Sequence, residues 1–217
     1  MQVAGKCPPT REALRRSADR GFDAVELHLP LDVVEEGAET LAARVEASPV
    51  SAVSVHTPHV LPGEHGPLRV ADALAVELDA YLVVHTQYSN LTHVPELEGA
   101  GFEAAHGYEN PPGASVRHLT NLVLDQGHGL VLDTAHLFMA HPDYLTEFQM
   151  LLDRHGGRID VVHLTDSTAT RDGVPFGEGD IEMATLCRLV KGSFDGAVVL
   201  EVMPDHQRNA LRRFREA

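Results

Sequence analysis

The sequence predicts an α/β fold, a single (β/α)8 barrel with short loops spanning residues 1–217. Three observations lead there. β-Rich runs recur eight times along the chain, and several are apolar almost throughout, as strands covered on both faces of a parallel sheet must be. Stretches with helical spacing separate most of them. No G-x-G-x-x-G or P-loop follows the first run, so the mark of a doubly wound open sheet is missing. Such barrels commonly take about 250 residues, and 217 residues leave little for insertions.

In chain order the predicted strands are MQVAGK (1–6), DAVELHL (23–29), VSAVSVH (50–56), AYLVVHT (80–86), GFEAAHGYE (101–109), GLVLD (129–133), IDVVHLT (159–165) and GAVVLEV (196–202). Thr10 is placed to cap a helix over 10–20 that stops at Gly21. Over 33–47, Val34, Ala38, Leu41, Ala42 and Val45 share one helical face. The stretch EHGPLRV around His65 reads as loop, and 87–101 is the least regular part of the chain, with a helix that is short or missing. Val116, Leu119 and Val123 keep helical spacing after Ser115, and Tyr144, Leu145, Phe148, Leu151 and Leu152 form a stripe ending at Gly156-Gly157. Asp180 and Asp205 are candidate caps for the last two helices.

Charge narrows the setting. Seventeen basic residues face thirty-two acidic ones, a net charge of −15, and only Lys6 and Lys191 are lysines. A lysine-poor acidic surface suits a salt-rich cytoplasm, where the Debye length falls to about 3 Å at 1 M and self-repulsion is screened. The expectation is a cytoplasmic protein of halophilic origin. The same charge argues against a nucleic-acid partner, and the basic RRFRE near the C-terminus reads as a solvated helix face. No apolar run is long enough to span a membrane, and the first residues lack a signal-peptide pattern. Cys7 and Cys187 form no CxxC pair and read as two isolated thiols.

In a barrel of this kind, functional side chains sit at the C-terminal ends of the strands. Reading those ends in order gives Glu26 and His28, His56 and His59, His85, Glu109, Asp133 with His136, His163 with Asp166, and Glu201. Carboxylates gathered around one axis cannot all remain ionised without a cation. Carboxylate oxygens combined with imidazole suit a divalent ion such as Zn²⁺, Mn²⁺, Co²⁺ or Mg²⁺. Glu109, Asp133, His163 and Glu201 are therefore assigned to one metal site. His56 and His85 come from adjacent strands and are candidates for a second, with Glu109 bridging, so one or two ions per chain are expected. Glu26 and His28 suit either substrate contact or rim, and His59 and His106 read as polar rim. Arg171 is a candidate for binding an anionic substrate group. Asp166 is also a candidate for the substrate-binding set, either orienting a ligand or holding its own loop. The GEGDI stretch (177–181) is a candidate loop over the pocket.

The ordered series SVHTPH, LVVHT, GYENPPG, LDTAHLF, VVHLTDS, PFGEGDI and VVLEV resembles the xylose isomerase-like TIM-barrel superfamily. That group holds sugar isomerases and epimerases, hydroxypyruvate isomerase, inosose dehydratase and endonuclease IV. For the isomerases and epimerases the resemblance implies one metal on Glu109, Asp133, His163 and Glu201, with the two glutamates as acid/base pair and His136 touching substrate. For endonuclease IV it implies a further ion on His56 and His85. That enzyme's Asp-x-His for a third zinc is here Arg171-Asp172-Gly173, without the histidine.

The chemistry follows from the residues as well. Isomerising or epimerising beside a carbonyl removes a proton from the neighbouring carbon, and the enediolate formed needs a cation, a base and an acid. The first expectation is a metal-dependent isomerase or epimerase of a small sugar, sugar derivative or hydroxy-keto acid. The alternatives are an endonuclease IV-like phosphodiesterase, an inosose-type dehydratase and a non-catalytic metabolite-binding barrel. The expected partner is a small-molecule substrate, with assembly into an oligomer left open.

Overall fold

The computed structural model describes residues 1–61, 63–86 and 90–217. The elements run in chain order β1 (Gln2–Cys7), α1 (Arg11–Asp19), β2 (Ala24–His28), α2 (Leu31–Val34), α3 (Ala38–Glu46), β3 (Ser51–His56), α4 (His65–Glu77), β4 (Tyr81–Val84), α5 (Val94–Glu98), β5 (His106–Glu109), α6 (Val116–Leu119), β6 (Gly129–Asp133), α7 (Thr134–Ala140), α8 (Tyr144–His155), β7 (Val161–Leu164), β8 (Asp166–Thr168), β9 (Arg171–Val174), α9 (Met183–Ser193), β10 (Ala197–Leu200) and α10 (Gln207–Glu216). Eight strands close a parallel barrel in the order β1-β10-β7-β6-β5-β4-β3-β2, and β8 and β9 form a separate antiparallel hairpin. All eight predicted strands are present, the fifth shortened to its last four residues.

Two packing layers follow from side-chain alternation. Outward residues such as Val25, Leu27, Leu82, Leu132, Val162 and Leu200 meet the helices in one continuous core. Inward residues fill the barrel with small apolar groups: Ala4, Ala24, Val83, Val131, Val161 and Val199. Tyr81 plugs the floor, and its hydroxyl takes the space that a Cβ at Gly107 or Gly129 would need. Both positions are glycine for that reason.

Several local expectations need correcting. The helix over 33–47 is split, because Gly37 sits at φ +82° between α2 and α3, a backbone state side-chain-bearing residues avoid. His65 opens the thirteen-residue helix α4 and is not loop. Gly66-Pro67 resembles a turn, but proline fits a first helical turn, where its missing N–H has no partner to lose. Asp180 and Asp205 do not cap. Helix α9 follows Glu182 and α10 follows His206, neither with a side-chain cap, and Asp205 lies inside a short 3₁₀ turn. Thr10 and Ser115 do cap, accepting from the N–H of Ala13 and His118. The irregular segment contains a 3₁₀ turn at Leu91–His93 followed by α5, while 87–89 lie outside the described residues. Cys7 and Cys187 are free and buried. No helix among the described residues is long and apolar enough to cross a membrane.

Candidate metal centre

The same alternation that fills the barrel builds the site. Two residues beyond an inward apolar residue or glycine, seven of the eight barrel strands present the next inward side chain nearer the mouth. Ala4 is followed by Lys6, Ala24 by Glu26, Val83 by His85, Gly107 by Glu109, Val131 by Asp133, Val161 by His163 and Val199 by Glu201. Strand register then sets neighbours: Lys6 pairs with Glu26, His28 with His56, and Asp133 with His163.

Glu109, Asp133, His163 and Glu201 come together, each offering one ligand atom within 4.8 Å of the others. His56, His85 and Glu109 form a second such group, and Glu26, His56 and His163 a third. Glu109 joins the first two. Its Oε1 lies 2.8 Å from His163 Nδ1, while its Oε2 lies 3.3 Å from His56 Nε2 and 3.6 Å from His85 Nε2. His136 is tied to the mouth as well: its N–H donates to Asp133 Oδ1 at 2.7 Å, its Nδ1 faces the Asn110 carbonyl, and its Nε2 lies 3.2 Å from Asp172 Oδ2.

One detail tests whether a cation fits. His163 Nδ1 lies 2.8 Å from both Glu109 Oε1 and Glu201 Oε2. A ring nitrogen carries one proton and can serve only one of them; Glu201 Oε2 has no hydrogen bond. A divalent ion on that nitrogen would satisfy both oxygens at once, and the two Glu, Asp and His donor set is one such ions accept.

Electrostatics agree. Burial works against the charged form of His163, yet Glu26, Glu201 and Glu109 outweigh it and hold its pKa well above the usual imidazole range. Burial likewise opposes ionisation of Glu109 and Glu201, but His163, with Lys6 beside Glu201, holds both well below the usual carboxylate range. Asp133 goes the other way, to about 6, because burial dominates, His136 offsets it only partly and the charges of Glu109 and Glu201 add to it. His136 rises to about 10, since Asp133 and Asp172 overcome its burial. His85 falls to about 3 and His28 to about 4, chiefly through burial, so both imidazoles are neutral at neutral pH, the form in which a ring nitrogen ligates a metal.

A cavity of about 410 Å³ opens over this cluster. Its lining is polar at His28, His56, His59, His85, His136 and Asp172 and apolar at Cys7, Pro8, Val202 and Met203. His59 is therefore cavity wall, its ring stacked on His85 at 4.0 Å between centroids. His106 is not rim: it begins β5 at the far end of the barrel and faces Glu98 at 3.0 Å. Asp166 does not line the cavity. It is fully buried, and its carboxylate accepts from the N–H groups of Ser167, Gly177, Gly179 and Ile181, so it holds the 177–181 loop. Gly179 approaches it so closely that a Cβ there would collide with the carboxylate and the Ser167 backbone. Arg171 is exposed on the β8–β9 hairpin and outside the lining; its neighbour Asp172 reaches the site instead.

Two participants have roles that the strand-end pattern does not give: Lys6, which is absent from it, and Glu26, which it offers as substrate contact or rim. Lys6 places its ammonium 2.7 Å from Glu201 Oε1 and 3.2 Å from Glu26 Oε1. Glu26 is fully buried, and its Oε2 lies 3.0 Å from His163 Nε2 and 2.7 Å from the Ser54 hydroxyl. Counting two residues on from Ala4 and Ala24 finds both.

Solved structures similar to this chain share its fold. One is 3-keto-D-glucoside 4-epimerase (YcjR) of E. coli, 12% identical, with a TM-score of 0.74 over 100% of both chains. Another is a xylose isomerase domain protein of Alicyclobacillus acidocaldarius, 16% identical, with a TM-score of 0.71 over 100% of this chain and 97% of that one. A third, from Planctomyces limnophilus, is 14% identical, with a TM-score of 0.68 over 99% and 94%. No curated protein matches the sequence significantly. The family model described as xylose isomerase-like TIM barrel matches residues 99–217, the stretch that carries Glu109, Asp133, His163 and Glu201. The chain belongs to the xylose isomerase-like TIM-barrel family.

Proposed function

We propose that the chain is a metal-dependent isomerase or epimerase of a small sugar, sugar derivative or hydroxy-keto acid. The observation that carries this reading is the pair Glu109 and Glu201, brought to one cavity beside a donor set completed by Asp133 and His163. A divalent ion held there supplies Lewis-acid stabilisation of the negative charge that develops on a carbonyl and its neighbouring hydroxyl. Glu109 and Glu201 take and return the carbon-bound proton from opposite sides. His136 lines the same space, and its Nε2, which faces Asp172, is the nitrogen placed to contact a substrate oxygen in place of that carboxylate. Val202 and Met203 give the lining apolar surface for the carbon side of a substrate. The similar fold of a keto-glucoside epimerase accords with this chemistry. Heavy-water incubation with candidate ketoses and keto acids tests it. Exchange of the carbon-bound proton, lost in Glu109→Gln, is expected; turnover unchanged in Glu109→Gln removes the acid/base assignment.

A second reading has its own observation. The group His56, His85 and Glu109 shares Glu109 with the first, an arrangement suited to two ions and to phosphodiester hydrolysis. Two bound zinc ions together with cleavage of an abasic oligonucleotide would favour it. Isotope exchange with one bound ion favours the first reading.

A further inference from the structure

We infer that Glu26 is a positioning residue for the metal centre: with Ser54 behind it, it fixes the ring of His163 so that Nε2 carries the proton and Nδ1 is left for the ion. The inference rests on the four-residue site proposed above and assigns a role to a carboxylate outside it.

The geometry is one-sided. His163 is fully buried, and its two nitrogens face different partners. Nδ1 looks toward Glu109 and Glu201, the donor set at the mouth. Nε2 looks away from the mouth, to Glu26 Oε2 at 3.0 Å. Glu26 has nowhere else to turn. Ser54 donates to the same Oε2 at 2.7 Å, the Lys6 ammonium lies 3.2 Å from the other oxygen, and the side chain has no solvent exposure. With an ion set between Nδ1 and the Glu109 and Glu201 oxygens, this acceptor selects the tautomer protonated on Nε2, because the opposite tautomer would set a bare nitrogen against Glu26 and a proton against the ion. It also raises the basicity of the free nitrogen, as a carboxylate behind a ligating histidine does.

Glu26, His56 and His163 are also close enough to hold an ion themselves, through Nε2. Two features favour the positioning role. The Lys6 charge sits directly on Glu26, and Glu26 has no solvent exposure and lies outside the cavity lining, whereas Asp133 and Glu201 line it. The two arrangements use opposite nitrogens of one ring, so they are distinguishable.

The test is ¹⁵N histidine NMR of the zinc-loaded protein together with zinc titration. Zinc on Nδ1 of His163 and a proton on Nε2 support the proposal; zinc on Nε2 overturns it and makes Glu26 a ligand. Glu26→Gln is expected to weaken zinc about 10- to 100-fold without changing the number of ions bound. Ser54→Ala, a milder change in case Glu26→Gln does not fold, is expected to weaken it about two- to tenfold through the lost hydrogen bond. Unchanged affinity in Ser54→Ala together with a folded Glu26→Gln of wild-type affinity also overturns the proposal. A wild-type protein that binds no zinc at all removes the metal site itself, a different failure from the loss of Glu26's role.

Discussion

Lys6 Nζ lies 2.7 Å from Glu201 Oε1, joining the ends of β1 and β10 across the seam where the barrel closes. The two residues are 195 positions apart, and the β1–β10 register, in which Gly5 pairs with Leu200, makes them neighbours. One ammonium thus neutralises two inward carboxylates, since Glu26 lies on its other side.

Lys6→Met removes the ammonium from both Glu26 and Glu201 and leaves buried Glu26 with His163 as its remaining cationic partner. Breaking a buried pair by removing one partner typically costs about 3 kcal/mol or more, and the expected loss in urea denaturation of the metal-free protein is on the order of 3 kcal/mol. Glu36→Gln, which removes a partner of Arg44 at the surface, is expected to cost far less, because solvent screens an exposed pair. Equal losses in the two variants would contradict the buried role of Lys6.

These two cases also show what could be read from the chain. Asp133 and His163 were visible because each interrupts an apolar run at a strand end. Lys6 and Glu26 were visible in principle, through inward alternation from Ala4 and Ala24, but their partners depend on barrel closure, which no local pattern states. The hairpin that brings Asp172 to His136 was hidden for the same reason. Helix α4 was hidden because Gly66-Pro67 carries a turn's composition in a position where a helix accepts it. The Asp166 loop was half visible: the alternative of holding its own loop is the one realised, since four backbone donors converge on the carboxylate.

Asp166→Asn replaces one acceptor oxygen with an amide that faces N–H donors. The expected cost is about 1–3 kcal/mol, with faster proteolysis within 177–181 measured by mass spectrometry. Wild-type stability and an unchanged cleavage pattern would remove the loop-holding role.

Stability of the metal-free protein should fall on the alkaline side. His136 has a folded pKa of about 10 against an ordinary 6.5, so its contribution is complete below 6.5 and is lost as pH rises through about 10. Asp133, raised to about 6 from 3.8, contributes fully below 3.8 and loses that contribution as pH rises through about 6. Glu26, lowered to about 2 from 4.5, contributes above 4.5 and loses it as pH falls through about 2. His85 and His28, lowered to about 3 and about 4 from 6.5, contribute fully above 6.5 and lose it as pH falls toward those values, which outweighs the single Asp133 contribution, so the metal-free protein is most stable near pH 6.5. A bound ion favours ionised Asp133 and moves the maximum upward. Urea denaturation across pH 4 to 10 checks this, and His136→Gln should flatten the alkaline limb. A metal-free protein equally stable at pH 6 and 10 would contradict it.

The net charge of −15 predicts a salt response. Screening of self-repulsion should raise the melting temperature by several degrees between low salt and about 1 M KCl. A melting temperature indifferent to KCl would separate the acidic composition from any adaptation to salt.

The central claim is that Glu109, Asp133, His163 and Glu201 share one divalent ion. Anomalous diffraction from a zinc- or manganese-soaked crystal measures it directly. The account predicts a peak bonded to all four side chains, with zinc–oxygen and zinc–nitrogen distances of about 2.0–2.2 Å. A saturated crystal with no peak among those four residues would contradict it.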